Sequence, residues 1–169
     1  MRFTIKFLAI VFITSLAFNC GGEEKKEEEE KVKIGSKKEV KKEDGNVANL
    51  VITADDNMQF NKSELKVKAG QRVKLTLRHI GKMEEAIMGH NLVILKQGTD
   101  VDEFSAKAAT ARDNEYIPEG TDAVIANTRM IGGGQVTTIE FDAPEVGSYD
   151  YICSFPAHYA LMKGKFIVE

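Results

Sequence analysis

Apolar and polar residues alternate along short segments of this chain, and that pattern restricts the fold more than any other feature of the sequence. Residues 65–68 read Leu-Lys-Val-Lys, and residues 73–78 read Val-Lys-Leu-Thr-Leu-Arg. A period of two places every second side chain on one face, which is typical of a β-strand with one buried face. The sequence Ala69-Gly70-Gln71 between them supplies a turn.

Further short apolar segments follow at close intervals: residues 50–52, 90–95, 124–126, 137–141, 149–153 and 165–168. Seven or so short strands with turn signals between them predict an all-β fold, a Greek-key β-sandwich. Residues 100–112 instead have a helical period, because Val101, Phe104 and Ala108 fall at i, i+3 and i+7. We therefore expect one short helical insertion, with Thr99 capping its start.

The first residues have the composition of a secretory signal. Arg2 and Lys6 precede an apolar stretch at residues 7–18, which is too short to span a bilayer. We predict a signal peptide over residues 1–19. Cys20 follows directly and resembles the lipobox of bacterial lipoproteins, in which this cysteine is acylated, although Asn19 stands where that family prefers a small residue. A plain signal peptide with an incidental cysteine is the alternative.

A run of Glu and Lys follows the cysteine. Residues 23–44 contain nine acidic and eight basic side chains and only three sizeable apolar ones. Such a segment cannot bury enough surface to offset its ordering entropy. We predict a disordered, lipid-anchored linker over residues 20–45 and a single folded domain over residues 46–169. The mild acidity of that domain and the absence of a basic block argue against nucleic acid as a partner.

One short stretch of the domain carries three residues with metal-binding chemistry. Cys153 ends a predicted strand, His158 follows five residues later, and Met162 four residues after that. A second imidazole, His90, begins another strand. Two imidazoles and a thiolate with a weak thioether match the trigonal copper site of electron-transfer proteins.

Each of these residues also has an ordinary explanation. A lone cysteine in a β-core is most often an inert small side chain, and a lone methionine most often fills the core. Zinc is the rival metal, but one cysteine and two histidines leave a structural zinc site short of a fourth strong ligand. A catalytic cysteine–histidine pair is a third possibility.

The domain closely resembles the azurins, small bacterial blue-copper proteins. The segments that carry the resemblance are Asn-Met-Gln-Phe-Asn at 57–61, Met-Gly-His-Asn at 88–91, Val-Ile-Ala-Asn-Thr at 124–128, and Cys-Ser-Phe-Pro-Ala-His-Tyr-Ala-Leu-Met-Lys-Gly at 153–164. This resemblance implies a cupredoxin fold and one copper ion. It implies His90, Cys153 and His158 as equatorial ligands, Met162 as the axial ligand, and the Gly89 carbonyl on the opposite axial side.

The same resemblance assigns roles around the ligands. Backbone N–H groups of Asn91 and Phe155 would donate to the Cys153 sulfur, and the Asn91 side chain would hold the two ligand loops together. The side chains of Met88, Ala157 and His158 would form the docking patch for redox partners.

The chain also departs from the family pattern. Cys153 is the only cysteine of the domain, so the usual azurin disulfide is absent, and the chain has no tryptophan. Ala157 replaces a glycine. His79 matches a histidine that does not bind the metal, and a hydrogen-bonded interior histidine is the simplest account of it.

The leading hypothesis is a lipid-anchored electron-transfer protein, periplasmic or at the cell surface. It would not be an enzyme, and it would exchange electrons with a cytochrome or a reductase. A copper storage or delivery protein with the same ligands is the alternative. A copper nitrite reductase is improbable, because that fold needs a second domain and more histidines than the three in the chain.

Overall fold

A computed structural model describes residues 46–169 of the chain. The predicted signal peptide, Cys20 and the Lys/Glu-rich linker lie outside the described residues. Within them, no helix is long and apolar enough to cross a membrane.

The described residues form eight strands in two sheets, which confirms the all-β sandwich. The strands are β1 (Val47–Ala54), β2 (Glu64–Val67), β3 (Arg72–His79), β4 (Val93–Leu95), β5 (Val124–Asn127), β6 (Val136–Asp142), β7 (Gly147–Ile152) and β8 (Lys163–Val168). One sheet has the order β1-β3-β6 and the other the order β2-β8-β7-β4-β5. The pairs β1–β3 and β2–β8 are parallel, and the remaining pairs are antiparallel.

The alternation that predicted the strands also determines the core. On β3, Val73, Leu75 and Leu77 are fully buried, whereas the residues between them are exposed or half-buried. These side chains pack with the inward residues of the second sheet, among them Tyr151 and Phe166. Burial of apolar surface between the sheets therefore holds the sandwich together without a disulfide, since the single cysteine of this region is a free thiol.

The helical prediction is correct in place and wrong in detail. Helix α2 covers Val101–Ala108, and Asp100 caps it: the Asp100 carboxylate accepts a hydrogen bond from the Glu103 N–H at 2.9 Å. Thr99 therefore lies outside the cap. The anionic side chain is the better partner for the positive end of the helix. The helix ends four residues early, and a 3₁₀ turn follows at Arg112–Asn114.

A second helix, which the sequence did not indicate, precedes the metal-binding region. Helix α1 is a single turn, Glu85–Met88, and none of its residues is buried. A helix without a buried face produces no hydrophobic period, so pattern analysis cannot detect it. Its position matters, because it leads directly into Gly89 and His90.

Several connecting segments meet at one end of the sandwich. Strands β1 and β3 are parallel, so Asp55, which follows β1, and His79, the last residue of β3, lie at the same edge of their sheet. The first residue of β1, Val47, lies at the other end of an eight-residue strand, at a distance of roughly 25 Å for a rise of about 3.3 Å per residue. The candidate ligands lie at the Asp55 end.

Candidate metal centre

Three side chains from two distant parts of the sequence converge at this end. The Cys153 sulfur lies 3.9 Å from His90 Nδ1 and 3.7 Å from His158 Nδ1, and the three ligand atoms all lie within 4.8 Å of one another. His90 and Cys153 are fully buried, and His158 is 4% exposed. The structure therefore brings together the three residues proposed as equatorial ligands.

A backbone carbonyl determines which ring nitrogen of His90 carries the proton. Its Nε2 lies 2.9 Å from the carbonyl oxygen of Asp55, which can only accept a hydrogen bond. Nε2 therefore carries the proton, and the lone pair of Nδ1 faces the Cys153 sulfur. The backbone of His90 is also held, because it exchanges two hydrogen bonds of 2.9 Å with Ile131. The imidazole is thus oriented for a metal by residues that are not ligands.

The loop from Cys153 to Met162 folds back on itself. The Cys153 N–H donates to the Met162 carbonyl at 3.0 Å, and the Met162 N–H donates to the His158 carbonyl at 2.8 Å. A 3₁₀ turn at His158–Ala160 makes this reversal. Met162 is fully buried and belongs to the same core cluster as Cys153. The structure therefore places the thioether residue beside the strand end that carries the cysteine.

Gly89 directly precedes His90, on the other ligand segment. Its carbonyl oxygen is 3.9 Å from the Cys153 sulfur. A Cβ atom built on Gly89 would lie 2.6 Å from the backbone oxygen of Glu85, closer than real contacts allow. The glycine therefore permits the end of α1 to approach the metal-binding residues.

Asn91 connects the two segments that carry the ligands. Its Oδ1 accepts from the Ser154 N–H at 2.9 Å, and its Nδ2 donates to Ser154 Oγ at 2.8 Å. Asn91 follows His90, and Ser154 follows Cys153, so these bonds fix the spacing of the two ligands. The backbone N–H groups of Asn91 and Phe155 point toward the Cys153 sulfur and lower the pKa of its thiol in part.

Burial nevertheless dominates the charge state of the site. It raises the pKa of the Cys153 thiol to about 12 and lowers the pKa of His158 to about 4, and it also lowers the pKa of His90. The pocket therefore holds a neutral thiol and two neutral imidazoles near pH 7. The Nδ1 atoms of both neutral imidazoles face the sulfur, so this donor set is suited to a metal cation, which would replace the thiol proton.

His79 is close to the site but has the bonding of a structural residue. Its Nε2 donates to the Met88 carbonyl at 2.9 Å, and its Nδ1 accepts from the Gly81 N–H at 3.1 Å. Both ring nitrogens are satisfied, as predicted. The ring stacks on His90 with centroids 4.4 Å apart and planes inclined by 25°.

Residues 46–169, which are the residues that the structure describes, match the family of copper-binding proteins that includes plastocyanin and azurin. The chain belongs to this family. It is 39% identical over 117 residues to Azurin-1 of Alcaligenes xylosoxydans xylosoxydans, an alignment covering 67% of this chain and 91% of that protein. It is 40% identical over 124 residues to outer membrane protein H.8 of Neisseria gonorrhoeae, covering 72% of this chain and 67% of that protein.

Solved structures of cupredoxins have the same fold. Reduced auracyanin from the photosynthetic bacterium Roseiflexus castenholzii superposes with a TM-score of 0.65 at 34% identity and covers 72% of this chain and 96% of its own. Auracyanin A from Chloroflexus aurantiacus, described as a blue copper protein, gives a TM-score of 0.67 at 28% identity and covers 73% and 99%. The family and the convergence of His90, Cys153 and His158, with Met162 beside them, identify a single type 1 copper site.

Sequence reasoning missed the groups that hold the ligands in place. Asp55 and Ile131 act through main-chain atoms, which every residue has, so their residue types do not indicate this role. Ser154 was detectable in principle, because it follows the cysteine directly and has a hydroxyl that can pair with an amide.

The copper-free protein is expected to release about one proton per site when Cu(II) is added near pH 7. The thiol, with a pKa of about 12, must lose its proton, whereas the His158 imidazole, with a pKa of about 4, has none to lose. The apparent affinity should rise about tenfold per pH unit between these values. Calorimetry in two buffers of different ionisation enthalpy measures the proton count. Cys153→Ser should not release this proton, because it has no thiol. Equal proton release by the variant and the wild type would contradict the assignment of Cys153 as the proton donor.

Replacing Ala157 by glycine is expected to increase the free energy of unfolding. Ala157 has a φ of 68°, in the left-handed region where a Cβ atom is unfavourable. Ala157→Gly should therefore gain roughly 0.5–1 kcal/mol in urea denaturation of the copper-free protein. Ala160→Gly, in the neighbouring 3₁₀ turn, is the matched control and should destabilise. A loss of stability in Ala157→Gly would mean that the methyl group makes a favourable contact that outweighs the backbone strain.

Proposed function

We propose that the protein carries single electrons between redox partners outside the cytoplasm while it is tethered to a membrane, and that it is an electron carrier and not an enzyme. When bound, copper supplies a one-electron couple between Cu(I) and Cu(II). One observation supports this proposal most directly. A thiol and two imidazoles are buried together at one end of the sandwich, and hydrogen bonds hold the segments that carry them.

The rigidity of the ligands favours electron transfer. His90 is held by Asp55 and Ile131, and Asn91 ties its segment to the one that begins at Cys153. Ligands that cannot rearrange keep nearly the same geometry in both oxidation states, so an electron leaves with little reorganisation.

The surface around the ligand loop supports docking of a protein partner. His158 is nearly buried there, with Ala157 exposed and Met88 half-buried beside the ligands. Two large apolar side chains that neighbour these residues in the sequence are also exposed: Ile87, which precedes Met88, at 64%, and Leu161, which precedes Met162, at 62%. A small apolar patch suits a brief encounter with a cytochrome or a reductase, because such complexes bury little area.

The proposed tether is an acylated Cys20, which follows an apolar stretch as the lipidated cysteine of bacterial lipoproteins does. The similarity to H.8, which is named an outer membrane protein, also supports a membrane-associated location.

Copper storage or delivery with the same ligands remains the alternative function. Such a protein must exchange its metal readily, which requires accessible or mobile ligands. His90, Cys153 and Met162 are all fully buried, and this burial favours the electron carrier.

The copper-loaded protein is expected to be intensely blue and to show a reversible one-electron wave. Charge transfer from the Cys153 thiolate gives the colour, so Cys153→Ser should abolish it. Met162→Leu should remain blue with a shifted potential, because the thioether is a weak ligand. Visible spectroscopy and voltammetry measure both properties. A colourless complex that rapidly loses copper to a chelator would instead support copper handling, and two equally blue variants would refute the ligand assignment.

The mature protein is expected to begin at an acylated Cys20. Mass spectrometry of the N-terminal peptide should show the added lipid, and Cys20→Ser should move the protein from the membrane fraction to the soluble fraction. The blue colour of the copper-loaded variant should not change, because Cys20 is not a ligand. An unmodified Cys20 in the native protein would exclude the anchor and leave the electron-transfer proposal intact.

A further inference from the structure

Two adjacent residues outside the ligand set have an unusual backbone conformation. Glu115 has a φ of 53° and Tyr116 a φ of 60°, both in the left-handed region that residues with a Cβ rarely adopt. They follow the 3₁₀ turn at Arg112–Asn114. Strained residues of this kind persist where the surrounding structure holds them, and they cluster at functional sites.

Glu115 contacts the His90 side of the metal centre by two routes. Its carbonyl oxygen accepts a hydrogen bond from Asn91 Nδ2 at 3.2 Å, and its carboxylate accepts one from the Met130 N–H at 3.0 Å. Met130 precedes Ile131, which pairs with the backbone of His90. The bridge between His90 and Ile131 is antiparallel, so Asn91 and Met130 are the next two residues opposite each other along it. Glu115 therefore contacts both segments beside the pairing that positions His90.

Tyr116 contacts the other ligand segment. Its ring meets Phe155 edge-on, with centroids 5.1 Å apart, and Phe155 packs against His158 with centroids 4.6 Å apart. A continuous row of rings therefore connects Tyr116 to His158. Edge-to-face contacts of this kind restrict the orientation of both rings.

We propose that Glu115 and Tyr116 are positioning residues of the copper centre. The Glu115 carbonyl contacts residues 89–91, the Glu115 carboxylate contacts residues 130–131, and the Tyr116 ring contacts residues 153–158. Together these groups hold the three segments against one another. The left-handed backbone at both positions directs the carboxylate to the segment that pairs with His90 and the ring to the segment that carries Cys153 and His158. Neither residue touches copper, and both act through the orientation of His90 and His158.

The test compares paired variants of the full-length protein. Glu115→Ala removes the carboxylate, whereas Glu115→Gln keeps an oxygen that can accept from the Met130 N–H. Tyr116→Leu removes the ring, whereas Tyr116→Phe keeps it. Glu119→Ala, an exposed acidic residue four positions further on, is the matched control for a change of charge.

The first measurement needs no copper. Amide exchange at Met130 should be roughly tenfold faster in Glu115→Ala than in the wild type, because that N–H loses a charged acceptor. Glu115→Gln and Glu119→Ala should stay near the wild-type rate. In the same copper-free samples, the NMR signals of the His158 ring should shift or broaden in Tyr116→Leu and remain unchanged in Tyr116→Phe.

The second measurement examines the copper-loaded protein. The copper hyperfine pattern in electron paramagnetic resonance should change or become heterogeneous in Glu115→Ala and Tyr116→Leu, and should be restored in Glu115→Gln and Tyr116→Phe. If the first two variants only lower stability, while their histidine and copper spectra match those of Glu119→Ala, the proposal is wrong and the two residues are structural.

A further variant separates the loss of the Glu115 carboxylate from a loss of stability, should Glu115→Ala fold poorly. Glu115→Gly removes the carboxylate and at the same time relieves the left-handed backbone, since glycine adopts this conformation freely. The proposal requires a perturbed copper spectrum in a protein at least as stable as Glu115→Ala. A wild-type spectrum in Glu115→Gly would overturn it.

Discussion

The burial of one sulfur atom imposes the central constraint on this structure. Cys153 is fully buried at a strand end, where removal from water raises the pKa of its thiol to about 12. Partial donation by the N–H groups of Asn91 and Phe155 does not offset this cost. A thiolate in this pocket therefore needs a cation at close range, and two imidazoles whose own charged forms are disfavoured supply lone pairs for that cation. The chemistry of the site follows from the exclusion of water.

The sandwich supplies what such a site requires, a set of fixed strand ends. Parallel pairing of β1 and β3 brings Asp55 to the edge where His79 lies, and Asp55 in turn orients His90. Antiparallel pairing of β7 and β8 returns the chain immediately after the ligand loop, so Cys153 and Met162 belong to two paired strand ends. The packed core between the sheets holds these ends in place without help from a disulfide.

The parts of the molecule that sequence could predict are those encoded by side-chain type. Alternation on β3 predicted a strand with one buried face, and the Cys153–His158–Met162 spacing predicted ligands because all three lie on one short loop. The structure places His90 beside them. The sequence offered this residue as a second imidazole at the start of a strand, where an ordinary histidine is equally common, and the resemblance then implied its role as an equatorial ligand. Neither the hydrogen bond to the Asp55 carbonyl nor the one-turn helix α1 could be predicted from the sequence. A backbone oxygen is present in every residue, and a helix without a buried face produces no hydrophobic period.

Backbone strain in the described domain is concentrated around the metal centre. The non-glycine residues with positive φ in residues 46–169 are Met58, Glu115, Tyr116 and Ala157. Met58 donates its N–H to the Asp55 carbonyl, which also binds His90, and Ala157 directly precedes His158. Each such conformation costs about 1–2 kcal/mol, so the folded core must offset several kcal/mol to maintain them. Strain of this size is retained only where neighbouring contacts fix the backbone, and here those contacts are the ones that orient the ligands. The same contacts therefore hold the strained residues and orient the buried ligands, and the stability of the sandwich maintains both in a rigid copper site.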